Sequence, residues 1–344
     1  MTMQKAARHA WIGLFLVSAW LPTDVESQSS AFCALRDPVR QIYSLYPEAR
    51  TYRSIVRSVG ARARDAILEQ LSFKLHFDEI GKHTLYVAVA ARRPLGLVHV
   101  RTEAGRWGLM EVVWSLNLDL TVRGFRFQRY RGRVSRKVIE GDLQKMLVGK
   151  GASELREMLE RREAASAEGG ERRELERALL RSALKTIVVT RTIWLADLEK
   201  LRALDAGLEH FPGGSDVTRI SEPYTAEVRE ALRTQFLDTD STLHHDSVKA
   251  FLVLDKKGDV LGCVVRGEWS YEEGRATISW AFELDGTLHS VESEGASPPE
   301  LNAHLQAVAA PCTSNEQTCL SYMGLMAFEA STLCSAHTEA RTVP

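Results

Sequence analysis

The sequence predicts an α+β fold in two tandem repeats, each a small antiparallel meander flanked by helices. Two observations carry that expectation. Residues 86–125 and 252–291 align without a gap at an offset of 166 residues, Tyr86 falling on Leu252. The alignment superimposes Val87 on Val253, Leu95-Gly96 on Leu261-Gly262, Val98 on Val264 and Gly108 on Gly274. It also puts Trp114 on Trp280, Leu118-Asp119 on Leu284-Asp285 and Thr121 on Thr287. A repeat this long signals two related domains, because solenoid periods are only about 20–50 residues. Between the shared positions lie apolar runs of strand length separated by hairpin-length turns, the signature of an antiparallel meander. What both copies keep reads as fold, and what one copy alone keeps is a candidate for function.

The elements follow in order. Residues 37–49 form a short amphipathic helix with Val39, Ile42, Tyr43 and Leu45 on one side, and Pro47 ends it. Residues 61–71 form a second helix. Strands follow over 84–90, 95–103, 107–116 and 120–130, the last two joined around Asn117-Leu118-Asp119. A helix over 136–148 stops at Gly149. Residues 153–163 continue into a charged stretch over 161–174, read as a solvated loop or frayed helix. The clearest helix spans 175–204, with Leu180, Leu184, Ile187, Val188, Trp194, Leu195, Leu198 and Leu201 in a broad apolar stripe. The second copy repeats the pattern with a helix over 225–237 and strands over 248–254, 260–269, 275–283 and 287–292. Helices over 300–309 and 319–333 complete it in abbreviated form. The domain expectation is therefore a signal at 1–30, a first domain at 31–206, a linker at 207–222 and a second domain at 223–344.

A composition of 44% hydrophobic and 26% charged residues over 344 positions leaves room for two cores. A formal net charge of −1 argues against a protein devoted to nucleic acid. The start carries Lys5, Arg8 and His9 without an acid, then an apolar run over 11–22, too short to span a bilayer and suited to an export signal. Val25 and Ser27 supply small residues for a cut after Ser27. The expectation is export, to the periplasm or anchored on the outer side of a membrane. Among five cysteines, Cys312 and Cys319 are spaced to close a small loop, while Cys263 reads as a buried small hydrophobe.

The first copy resembles the FMN-binding domain family, which includes exported flavoprotein subunits of sodium-translocating quinone reductases and related electron-transport complexes. The resemblance rests on Leu95-Gly96-Leu97-Val98, on the charged last strand Phe125-Arg126-Phe127-Gln128-Arg129-Tyr130-Arg131, and on Leu147-Val148-Gly149-Lys150. Ser182-Ala183-Leu184-Lys185 stands where the family's flavin-attachment motif ends in threonine. The resemblance implies FMN, electron transfer and a membrane-bound redox complex as partner. The departure implies that any flavin is held without a covalent bond, its phosphate met by Arg126, Arg129, Arg131, Lys150, Ser182, Lys185 and Thr186. A lysine offers a dianionic phosphate a point charge and three donors. The plainer reading makes Lys185 a solvated residue on the polar edge of a buried helix.

Arg123, Arg126, Arg129, Arg131, Arg133, Arg136 and Lys137 form a basic stretch without an acid from Leu120 to Ile139. The second copy has Glu292 and Glu294 in the corresponding region. Such a stretch gathers anions or protects an exposed edge strand from aggregation. His244-His245-Asp246 has no partner at metal-ligand spacing, and Trp107 suits a flavin platform or a rim position equally. No phosphate loop, nucleophile elbow or HExxH motif is present. Two functions follow: a flavin-dependent electron carrier, or an exported interaction module of the same fold that has lost the cofactor and meets an anionic partner through its basic edge.

Overall fold

A computed structural model of the chain describes residues 37–75, 79–106, 108–164, 170–220, 249–271, 274–284 and 288–294, with side chains left aside at 268–276, 278, 288, 293 and 294. The expected signal, Trp107, the helices at 225–237, 300–309 and 319–333, the His244-His245-Asp246 turn and the Cys312/Cys319 loop lie outside these residues.

The described chain is mixed α+β, with two antiparallel five-stranded sheets. In the first half, α1 (Val39–Leu45) precedes β1 (Thr51–Val59), and α2 (Ala61–Glu69) precedes β2 (Gly81–Ala90). The meander continues through β3 (Arg93–Gly105), β4 (Gly108–Leu116) and β5 (Val122–Arg129). Three helices follow: α3 (Arg136–Leu147), α4 (Ala152–Ala164) and α5 (Gly170–Ile193). Next come α6 (Leu195–His210), β6 (Asp216–Arg219), β7 (Lys249–Leu254), β8 (Val260–Tyr271), β9 (Gly274–Phe282) and β10 (Leu288–Glu294). Both sheets run in simple sequence order, β1 to β5 and β6 to β10.

The ladders show that the duplication is deeper than the aligned residues. Each sheet has a bulge after Ala88 or its counterpart Val253, and another where Leu116 pairs Val122 or Phe282 pairs Leu288. The pairing also corrects the gapless alignment. Ala88 pairs Gly96 and Val253 pairs Gly262, so β2 maps onto β7 at 165 residues while β3 maps onto β8 at 166. The second copy holds one more residue in the intervening turn. That turn closes in the first copy through left-handed Ala91 and Arg92. In the second it closes through left-handed Gly258 and an Asp255 carboxylate that accepts from the Lys257 and Asp259 amides.

The repeat also begins earlier than expected. Tyr46 ends α1, its N–H donating to Ile42 O; Phe211 ends α6 in the same way, donating to Gly207 O. Each aromatic ring sits where a side chain on the facing β3 or β8 glycine would have to go, Gly96 against Tyr46 and Gly262 against Phe211. Residues 207–222, expected as a linker, thus hold the end of α6 and strand β6, and α6 is the counterpart of α1. The helix expected over 175–204 is two helices, broken at Trp194. Strand β1 was not expected, because its mostly exposed edge position relaxes the apolar alternation that marks inner strands.

Each face of the first sheet is covered. Helices α3 to α6 bury Leu85, Val87, Leu97, Val112, Trp114, Phe125 and Phe127 on one side, and α1 buries Tyr86, Ala88, Val98, Val100 and Val113 on the other. Trp114 and Trp280 are both fully buried, as the repeat predicts. Helix α6 serves both halves: Leu198 and Leu201 join the first core, while Ala203, Leu204 and Ala206 pack on Val217, Phe251, Val253 and Val264 of the second sheet.

Candidate functional site

The residues expected to hold a flavin phosphate do not converge. Side chains alternate across a strand, so Phe125 and Phe127 of β5 enter the core beneath α5 and Arg126 turns to the α1 face. There Arg126 donates to Ser44 Oγ (3.3 Å) and to Gln144 Oε1 (2.9 Å). Arg129 lies 4.0 Å from the Glu111 carboxylate, and Lys150 pairs with Glu154 at 2.7 Å in the loop after α3. Arg131 is exposed beyond the end of β5. Ser182, Lys185 and Thr186 lie on the opposite side of the sheet, buried on α5. Ser182 Oγ accepts from the Trp114 indole N–H at 2.9 Å, and Thr186 Oγ1 donates back to Ser182 O at 2.7 Å. The sheet itself separates Arg126 and Arg129 from the α5 trio, whereas Arg131 lies beside the start of α5, next to Glu171 and Glu174 and more than two turns from Ser182.

Lys185 is 2% exposed, which corrects its reading as a solvated residue. It anchors an array of ionisable groups that the sequence reading missed. Its ammonium lies 2.6 Å from Glu103 Oε1 and 3.2 Å from Glu79 Oε1. Arg101, fully buried, donates to Glu79 Oε2 at 2.7 Å and to His83 Nδ1 at 3.3 Å. With Nδ1 accepting, the proton of His83 sits on Nε2, which donates to Glu79 O at 2.8 Å. His99 Nδ1 meets Thr190 Oγ1 at 3.2 Å, and its ring stands edge-on to Trp194.

The array is two cations, two carboxylates and two neutral imidazoles, hence balanced overall. Burial presses the His83 pKa down to about 4, with Arg101 adding to the effect. Burial holds the His99 imidazole well below its ordinary range. For Glu79 burial pushes upward, but Arg101 and Lys185 together outweigh it and hold the carboxyl below its usual value.

Strand geometry explains how such groups enter a core. His99, Arg101 and Glu103 share the inward parity of Leu97, while Val98 and Val100 face α1. Alternation alone marks His99, Arg101 and Glu103 as an outward polar face, and only the helix on each side of the sheet reverses that reading. Glu79 reaches the array from a left-handed backbone position (φ 62°) in the segment leading into β2. The counterparts of His99 and Arg101 in the second copy are Val265 and Gly267, so this array belongs to the first copy alone.

The basic strand is largely neutralised within the fold. Arg123 pairs with Glu48 (2.5 Å) and stacks on Tyr46, and Arg136 pairs with Glu140 (3.1 Å). Glu140 and Gln144 of α3 also accept from the Phe127 and Phe125 amides, closing the free edge of β5. Arg131 and Lys137 remain exposed with no carboxylate partner among the described residues. Cys263 is buried in its strand as expected, but as a disulfide-bonded cysteine rather than a free thiol; the four other cysteines lie outside the described residues. No group of three or more His, Cys, Asp or Glu side chains suited to a metal ion, and no helix long and apolar enough to cross a membrane, occurs among the described residues. No protein-family model, curated protein or solved structure matches the chain.

Proposed function

We propose that the protein is an exported interaction module that uses a duplicated α+β unit without holding a flavin. The observation that carries this reading is the placement of Ser182, Lys185 and Thr186. All three are buried and engaged by Trp114, by Glu79 and Glu103, and by the helix backbone. A phosphate reaching Lys185 would have to displace two carboxylates from a buried ammonium, and separating a buried pair costs roughly 3–5 kcal/mol. What faces outward between the end of β5 and the start of α3 are the exposed Arg131 and Lys137, with Arg129 exposed beside Glu111, cations suited to a polyanionic partner by charge attraction. Export is supported by the basic-then-apolar start and by the disulfide at Cys263, a bond that persists in oxidising compartments.

The test is a titration of the purified full chain with FMN, followed by flavin fluorescence. The expected result is no saturable quenching; saturable quenching returns the protein to the flavin-dependent electron carriers. In parallel, Arg131→Glu/Lys137→Glu is expected to elute from a sulfate-bearing resin at distinctly lower salt than the parent chain. A fusion of residues 1–29 to a reporter active only after translocation is expected to report.

A further inference from the structure

A pocket of about 410 Å³ lies where β1, β2, α6 and the start of β6 meet. Its inner wall is apolar, formed by Ile55, Val87, Leu201 and Leu204. Its mouth is charged, and the charges are almost all spent on one another. Arg57 forms a double hydrogen bond with Asp197 (2.7 and 3.0 Å), and Lys200 lies 3.0 Å from Asp216. The exception is Arg53. It pairs across the ladder with Val87, so both side chains leave the sheet on the α6 side, over the pocket. Among the described residues no carboxylate answers it.

Among the described residues the second copy has no such site. The counterpart of Arg53 is Thr218, on β6. The wall that carries Asp197, Lys200 and Leu201 belongs to the first turns of α6, which extend N-terminal to anything in α1. The pocket therefore exists because the two units join here, and sites of this size with an apolar wall and few polar groups favour such junctions.

We propose that this pocket binds a small organic monoanion, its apolar body against Ile55, Val87, Leu201 and Leu204 and its acidic group on Arg53. A cation is disfavoured because Asp197 and Asp216 already have partners. For an acidic ligand the same pairing removes the repulsion those carboxylates would exert. A guanidinium presents paired donors to a carboxylate or sulfonate, which binds better than a point charge.

The test uses the full chain with 8-anilinonaphthalene-1-sulfonate, a fluorescent apolar monoanion, and octanoate as competitor. The expected result is a saturable, one-to-one fluorescence rise displaced by octanoate and not by octanol. Arg53→Glu is expected to weaken binding about tenfold or more, Arg53→Lys to retain part of it, and Lys145→Glu, exposed on α3 against β5 at the opposite edge of the sheet, to change nothing. Arg53 is exposed on an edge strand, so these variants keep the fold, verified by near-ultraviolet circular dichroism. Absence of saturable binding, equal affinity in Arg53→Glu, or equal displacement by octanol would each overturn the proposal.

Discussion

Replacing Lys185 by methionine keeps the length of the side chain and removes its charge from the centre of the buried array. Glu103, almost fully buried, has Lys185 at 2.6 Å as its one ion-pair partner among the described residues, while Glu79 keeps Arg101 at 2.7 Å. The variant thus strands one carboxylate. Breaking a buried pair by removing one partner costs about 3–5 kcal/mol, roughly a fifth or more of a typical domain's stability of about 5–15 kcal/mol. Urea unfolding followed by tryptophan fluorescence reads the effect directly, because Trp114 and Trp194 lie in the same core. The expected outcome is a loss of about 3–5 kcal/mol at pH 7, partly recovered by adding Glu103→Gln. A loss below about 1 kcal/mol at pH 7, the range of an exposed pair, would show that the array is solvated and refute the reasoning.

Two further outcomes follow from the same geometry. Stability should fall as pH drops from about 6.5 towards 4, because unfolded His83 and His99 take up protons that the folded chain refuses, and Glu79, depressed in the fold, adds to the loss at the acid end. His83→Gln should reduce that loss by about 3 kcal/mol, the order expected of a histidine held down to about 4 in the fold, as measured by urea midpoints across the range. Gly96→Ala and Gly262→Ala should each cost about 1–3 kcal/mol by overpacking, since the new methyl would lie 2.6 Å from Leu116 O or 2.7 Å from Phe282 O and press on Tyr46 or Phe211. Gly60→Ala, with open space at its Cβ, should leave the thermal midpoint nearly unchanged.

The parts of this fold legible in the sequence are those fixed by local chemistry. Trp114 with Trp280, and the Asn117-Leu118-Asp119 turn in which Asp119 accepts from Thr121, are where the repeat placed them. Edge strands were not legible. β1 and β6 carry exposed, mixed residues because only one neighbour constrains them. The start of the second copy was hidden for a different reason: Phe211-Pro212 reads as a helix stop, and nothing local marks it as the partner of Tyr46-Pro47. The ionisable core was illegible because alternation distinguishes two faces of a strand without revealing that both are covered. The resemblance to flavin-binding chains singled out Ser182, Lys185 and Thr186, and only the packing shows which way they point.

The position of α6 determines where this chain can be divided. Leu198 and Leu201 complete the first core, and within one further turn Ala203, Leu204 and Ala206 begin the second. A fragment ending at Leu204 takes from the second sheet the helix that covers it, and a fragment starting at Leu195 opens the first core. Fusion or deletion experiments that treat the halves as separable modules will therefore compare damaged proteins. The two copies are alike in pattern, yet they hold one helix in common, and a ligand at the neighbouring junction would act on both sheets at once.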